Sequence, residues 1–201
     1  MKCVIALNGE YSRDYIFPEN AFVIACDGAY AQLIKNGVKV DCVLGDFDSL
    51  GFVPDNAIVY PKEKDLTDGE IGLETALKSG YNDIDIINFG GKREDHFLGN
   101  LSLLMKAYSC GASATAFTNN SKIRFLSSGK TILKVKKGAT VSLFTFGGCR
   151  IDKSKGLKYV YSKTELLPTA TLGISNIATD EQIELEIKSG NAFFIENIAN
   201  V

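Results

Sequence analysis

Val43-Leu44-Gly45-Asp46-Phe47-Asp48-Ser49-Leu50 is an apolar run that stops at a glycine and then presents two carboxylates one residue apart. In extended backbone, residues i and i+2 face the same way, about 7 Å apart at ~3.3 Å per residue. Two anions on one side repel, and a Mg2+ ion relieves that, because it is commonly held by one or two carboxylates together with substrate phosphates. The other reading is an Asx-type turn after a strand, in which aspartate and serine bond nearby backbone amides. Both readings put a strand before Gly45.

Working outward, residues 2–7 and 21–25 read as buried strands that end in the turn residues Asn8-Gly9 and Cys26-Asp27-Gly28. Residues 29–35 read as a short helix closed by Asn36-Gly37, and 42–44 as the strand that delivers the acidic pair. Strand, helix, strand is the pattern of an α/β sheet, whose ligands gather at the carboxyl ends of the strands. Asp27, Asp46 and Asp48 all lie at such ends. A further strand is expected at 57–60. A helix over 67–79 then starts with capping-box spacing between Thr67 and Glu70. Asp65 and Asp68 flank its start, where the helix dipole alone would favour them; a place near metal or phosphate is the alternative.

An apolar strand at 84–89, interrupted by Asp85 and Asn88, runs into Gly90-Gly91. The helix over 94–109 buries Phe97, Leu98, Leu101, Leu104 and Met105 on one face. A Gly-Gly turn, Arg93 and a helix N-terminus together suit a phosphate. His96 is the only histidine, and a hydrogen-bonded structural role stands beside a functional one. Beyond 113–117 no helical period is visible. Strand-like runs at 122–126, 131–135, 140–144 and 169–172 lead to a pair at 182–188 and 191–196 that flanks Ser189-Gly190 as a hairpin would. The chain therefore reads as an α/β domain over 1–125 followed by an all-β domain over 126–201.

Composition narrows the function. Hydrophobic residues at 45% and charged residues at 23% of 201 describe an ordinary globular chain. Residues 1–126 hold 17 acidic and 12 basic side chains and residues 127–201 hold 7 and 10, for a net charge of −2, so no basic excess invites nucleic acid. Cys3, Cys26, Cys42, Cys110 and Cys149 are odd in number and contain no C-x-x-C, which favours free thiols in a reducing compartment. No apolar run approaches the ~20 residues that cross a bilayer, and the run at 3–7 is too short for a signal-peptide core. No membrane association and a cytoplasmic location are the expectation.

Neither a phosphate-loop formula nor G-x-G-x-x-G nor G-x-S-x-G occurs. What remains is a carboxylate set, Asp27, Asp46, Asp48, Asp65, Asp68 and Asp95, with Arg93 and Lys64 or Lys92 nearby in sequence. Magnesium and cations around a transferring phosphate are what phosphoryl transfer needs, since its catalysis is mostly positioning and charge stabilisation.

In order along the chain, Ala25-Cys26-Asp27-Gly28-Ala29, Gly45-Asp46-Phe47-Asp48-Ser49, Lys64-Asp65-Leu66-Thr67-Asp68, Gly90-Gly91-Lys92-Arg93-Glu94-Asp95-His96, Gly156-Leu157-Lys158-Tyr159 and Gly173-Ile174-Ser175-Asn176 resemble the bacterial thiamine pyrophosphokinase family. The resemblance implies a Rossmann-like open-sheet α/β nucleotide-binding domain, a β-sandwich that binds thiamine, and a homodimer with shared active sites. It also implies transfer of the diphosphoryl group of Mg-ATP to the thiamine hydroxyl, giving thiamine diphosphate and AMP. By position it puts Asp46, Asp48 and Asp68 at the metal. Asp27, Lys64, Asp65, Arg93 and His96 fall at the nucleotide, Arg93 and Asp95 at the reacting centre, and Ser175 and Asn176 at thiamine. The chain has no tryptophan, so an aromatic face for thiamine has to come from Tyr159, Tyr161 or a phenylalanine. Val160-Tyr161 also stands where proline is common in the family. A pyrophosphokinase for another alcohol, such as a hydroxymethylpterin, and a non-catalytic Mg-nucleotide sensor are the competing readings.

Overall fold

The structure is a computed structural model and describes residues 1–198. In its first unit, residues 1–119, the strands β1 (Cys3–Ala6), β2 (Phe22–Cys26), β3 (Cys42–Gly45), β4 (Ile58–Val59), β5 (Asp83–Ile87) and β6 (Ser113–Phe117) all pair in parallel, in the order β6-β5-β1-β2-β3-β4. β1 is buried along its whole length, as a central parallel strand covered on both faces must be. The helices α1 (Ala29–Lys35), α2 (Asp68–Lys78) and α3 (Glu94–Ser109) provide that cover. Val4, Ala6, Val23 and Ala25 pack with Ala29 and Leu33 of α1 on one face. On the other face α2 comes so close that a methyl group on Gly72 would stand 2.8 Å from Cys26 Sγ and 3.2 Å from Ile5 Cγ2.

α2 begins where the capping signal puts it. Thr67 Oγ1 accepts a hydrogen bond from the Glu70 amide at 3.2 Å, a cap that contributes about 1 kcal/mol. The reciprocal half of the expected box is absent. The Glu70 carboxylate instead meets Lys106 of α3 at 2.9 Å, beside Glu74 at 2.6 Å, and so ties the two helices together. The strand expected at 57–60 shrinks to the exposed pair Ile58 and Val59. The one expected at 84–89 stops at Ile87, because Asn88 turns into the left-handed region at φ 55°.

Strands β1 to β4 step outward in one direction, and β5 then returns to the far side of β1. Open α/β sheets bind ligands in the crevice that such a reversal leaves outside the carboxyl ends. The connections β1–β2 and β3–β4 carry no helix, so strict alternation of strand and helix is not kept.

The second unit starts at Asn120; a boundary at 125 would cut through β7 (Ser121–Lys134), which is one continuous strand. With β7 come β8 (Thr140–Phe144), β9 (Cys149–Lys155), β10 (Ser162–Leu166), β11 (Asn176–Ile177) and β12 (Gln182–Asn197). The first half of β12 lies between β7 and β9, and its second half between β7 and β8. Two antiparallel sheets, β10-β9-β12-β7 and β11-β8-β12-β7, thus share two long bent strands. The expected hairpin at Ser189-Gly190 is this bend. The β7–β12 register shifts between Ile187 and Asn191, with Gly190 at φ 79° and, opposite Ile187 on β7, Gly129 at φ 129°. A bulge of this kind bends a strand and lets it change sheets without reversing it. The runs 122–126 and 131–135 are likewise parts of one strand, and 169–172 is a turn. Ile183, Leu185, Ile187, Leu126, Leu133 and Ile151 are among the side chains of this unit's core. Among the described residues no helix is long and apolar enough to cross a membrane.

Candidate active site at the carboxyl ends of the parallel strands

Parallel pairing of Cys26 with Leu44 brings the ends of β2 and β3 side by side, and the Asp27 amide donates to Leu44 O at 2.9 Å. Gly45 makes this approach possible: at φ 150°, a β-carbon there would sit 3.1 Å from the N, Cα and Cβ of Asp27. Past Gly45 the backbone is not extended. Phe47 is buried and left-handed at φ 59°, a conformation that costs a bulky residue about 1–2 kcal/mol. The Asp48 amide donates to Asp46 Oδ1 at 3.2 Å. The Asx turn is therefore present, and the acidic pair is not laid out on one face of a strand. The carboxylates converge all the same, with oxygens of Asp27, Asp46 and Asp48 within 4.8 Å of one another.

Asp27 is 7% exposed. Its Oδ2 accepts from Asn8 Nδ2 at 3.2 Å and from the Ser49 hydroxyl, whereas its Oδ1 is buried with no hydrogen-bond partner. A buried carboxylate oxygen left unpaired is costly, and a hard cation that takes oxygen ligands would satisfy it. The three carboxylates fit such an ion. Lys64 Nζ stands 3.1 Å from both Asp46 Oδ2 and Asp68 Oδ1, hydrogen-bonding the former, and Lys62 lies 2.7 Å from Asp48 Oδ2. Burial pushes the Asp46 carboxyl up, but the Asp48 amide and Lys64 outweigh it and hold Asp46 below the ordinary carboxylate range. At Asp68, the first residue of α2, burial wins over Lys64 and the carboxyl is raised. Asp68 borders the group of three without belonging to it.

Gly90, Lys92, Arg93 and His96 line the opposite wall of the same cleft, which encloses about 470 Å3. Arg93 forks onto Asp95, with Nε to Oδ1 at 3.1 Å and Nη2 to Oδ2 at 2.6 Å, and holds that carboxyl below its ordinary range. The His96 amide donates to Asp95 Oδ1 at 2.9 Å, and Asn100 Nδ2 fastens the glycine turn through Phe89 O at 3.0 Å. Asp65 is exposed and does not line the cleft. Sequence reasoning passed over Asn8 and Ser49, both of which contact Asp27. The available signal was that Asn8 lies just past the carboxyl end of β1, the strand beside the reversal of strand order.

In the second unit Asn176, the first residue of β11, is buried, and its side chain is spent on fastening the β9–β10 loop at Tyr159. Oδ1 accepts from the amides of Tyr159 at 3.0 Å and Ile177 at 2.9 Å, and Nδ2 donates to Tyr159 O at 2.7 Å. Ser175 is exposed and left-handed at φ 61°, with its amide donating to Ser142 Oγ at 3.0 Å. Tyr159 is 60% exposed, with Lys158 Nζ 5.4 Å from its ring centre, whereas Tyr161 is buried. Of the two tyrosines, only Tyr159 offers an open aromatic face.

Comparison with known proteins gives concordant results for both units. The family described as thiamin pyrophosphokinase, catalytic domain, matches residues 14–115, and the family described as its vitamin B1 binding domain matches residues 130–191. Thiamine pyrophosphokinase of Bacillus subtilis (strain 168) is 29% identical over 168 residues, covering 79% of this chain and 78% of that one. The crystal structure of the enzyme from Bacillus subtilis superposes with a TM-score of 0.86 at 23% identity over 98% of this chain and 99% of that one. The structure from Geobacillus thermodenitrificans does so with a TM-score of 0.86 at 24% identity over 100% and 99%. At these identities the superpositions show the fold, while the catalytic-domain match spans half of the sequence and takes in Asp27, Asp46, Asp48, Asp68 and Arg93. The chain is therefore an enzyme that belongs to the thiamin pyrophosphokinase family.

Proposed function

We propose that the first unit binds Mg-ATP in the cleft and transfers its diphosphoryl group to the hydroxyl of thiamine, yielding thiamine diphosphate and AMP. Membership of the family supports diphosphorylation of thiamine. The observation that carries the finer reading is the buried, partnerless Oδ1 of Asp27, whose carboxylate converges with those of Asp46 and Asp48 in a crevice that also presents Arg93 and Lys92. Asp27, Asp46 and Asp48 would hold the magnesium, which when bound offsets the charge of the phosphate oxygens.

The side chains of the chain do the rest. Arg93 leaves its fork on Asp95 for phosphate oxygens, an exchange between two exposed partners that costs little. Lys64 offsets the negative charge that Asp68 adds beside Asp46. The thiamine hydroxyl is a neutral, poor nucleophile, and a carboxylate that accepts its proton as the new bond forms assists it. Asp68, raised by burial, is a better acceptor than Asp95, which Arg93 holds down. In the second unit, the loop fastened by Asn176 presents Tyr159 and the exposed Ser175 as the thiamine contacts. That unit is small, and we read a homodimer with shared sites as the form that stabilises it. Sedimentation should then show a dimer at micromolar concentration, and a fully active monomer would remove the shared site.

Product analysis with purified protein, Mg-ATP and thiamine tests the reaction. AMP should appear in step with thiamine diphosphate, require magnesium and vanish without thiamine. ADP with thiamine monophosphate would overturn the diphosphoryl step, and AMP formed only with a pterin alcohol would reassign the acceptor.

A further inference from the structure

Asn8, two residues past β1, is a side chain through which the two walls of the cleft touch. Its Nδ2 donates to Asp27 Oδ2 at 3.2 Å and to Ser49 Oγ at 3.0 Å, and its Oδ1 accepts from Lys92 Nζ at 3.1 Å and from Gln32 Nε2 at 3.4 Å. A carboxamide has two donor hydrogens and an oxygen with two lone pairs, and all four are in use. The orientation is fixed by chemistry: the flipped amide would turn its oxygen on the Asp27 carboxylate and its NH2 on the Lys92 ammonium. Gln32 of α1 is itself steadied by Gly9 O at 3.2 Å and by Asn88 Nδ2 at 3.5 Å. The pocket around the amide is close, since a methyl on Gly28 would lie 2.6 Å from Asn8 Nδ2.

We propose that Asn8 is a positioning residue for the divalent cation. By engaging Oδ2 of Asp27, it leaves Oδ1 as the free oxygen that turns to the ion, and through Lys92 it sets the distance from that ion to the phosphate side. The inference rests on the reading that Asp27, Asp46 and Asp48 hold the ion. Groups that orient the ligands of a metal change its affinity by roughly 10–100-fold when removed, so Asn8 acts through Asp27 without touching the ion.

The test is Mn2+ binding to the full chain without nucleotide, read from the paramagnetic resonance of free Mn2+, in wild type, Asn8→Ala, Gln32→Ala and Asp46→Asn. Asn8→Ala should weaken Mn2+ at least ~10-fold and raise the half-activating Mg2+ concentration by the same factor, leaving the KM for thiamine unchanged. Gln32→Ala should give a smaller loss in the same direction. If Asn8→Ala folds poorly, Asn8→Ser is measured in its place. Loss of Mn2+ in Asp46→Asn with wild-type affinity in the Asn8 variant would overturn the role of Asn8 and spare the carboxylate site. Undiminished Mn2+ binding in Asp46→Asn would overturn the carboxylate site, and this inference with it.

Discussion

The first unit contains two Asp-x-Asp pairs, and the same pattern has opposite fates. Asp83 and Asp85 sit on β5. Lys2 Nζ reaches them at 3.2 Å and 3.0 Å, and the Tyr15 hydroxyl donates to the other oxygen of Asp85 at 2.7 Å. Asp85 is buried and both of its oxygens are engaged. Asp46 and Asp48 lie past the carboxyl end of β3, next to a left-handed Phe47, and converge with an aspartate that has a buried oxygen to spare. Buried polar groups whose bonds are complete hold a fold in one arrangement. Groups with capacity left over, on strained backbone at strand ends, mark a place prepared for a ligand.

The difference can be broken by mutation. Asp46→Asn or Asp48→Asn should cut turnover by at least ~100-fold, while the thermal midpoint moves little, falling slightly in Asp46→Asn because the Asp48 amide and Lys64 stabilise its ionised form. Near-normal turnover in both variants would reduce these residues to an Asx turn. Asp85→Ala should do the reverse. It strands the Tyr15 hydroxyl and leaves Lys2 with Asp83 alone, at a cost of about 2 kcal/mol by denaturant unfolding, below the full cost of breaking a buried pair because Lys2 keeps Asp83 and some water. Turnover per folded molecule should stay as in wild type.

On the phosphate wall, Arg93→Lys keeps the charge but loses the planar fork. A drop of about tenfold at saturating ATP is expected from the loss of one charged hydrogen bond, and a wild-type rate would dismiss the clamp. The smallest effect expected on stability is at Asp68. Its folded pKa is raised by burial, so the fold carries a cost whenever the group is ionised, and that cost fades as pH falls through the raised value toward the ordinary 3.8. Asp68→Asn should therefore melt higher than wild type at pH 7, with the gain shrinking by pH 4. Asp46 has the opposite sign: its depressed pKa adds stability above the ordinary value, which is lost as the pH drops below it. A gain in Asp68→Asn that grew on acidification would contradict burial as the cause.

Much of the first unit was legible because its determinants are local. Apolar runs end at Gly45, Gly90 and Asn8-Gly9, and Thr67 marks a helix start. That Asp27 and not Asp68 completes the group with Asp46 and Asp48 was not legible, because it depends on the register of β2 against β3 and on Gly45, where any β-carbon would crowd Asp27 at 3.1 Å. In the second unit Ser189-Gly190 misled, since a glycine at positive φ signals a reversal and a bulge alike. β9 escaped notice because its outward residues Arg150, Asp152 and Lys153 are charged and mask the apolar alternation. Beyond its place after β1, nothing marked the Asn8 amide, since only the fold brings Asp27, Gln32, Ser49 and Lys92 together around it.

The most direct test is anomalous diffraction from crystals grown with Mn2+ and a non-hydrolysable ATP analogue. A peak in contact with carboxylates of Asp27, Asp46 and Asp48, with the analogue's phosphates between it and Arg93, is the result expected. A peak on Asp83 and Asp85, or an analogue bound with no ion at the three aspartates, would contradict the account.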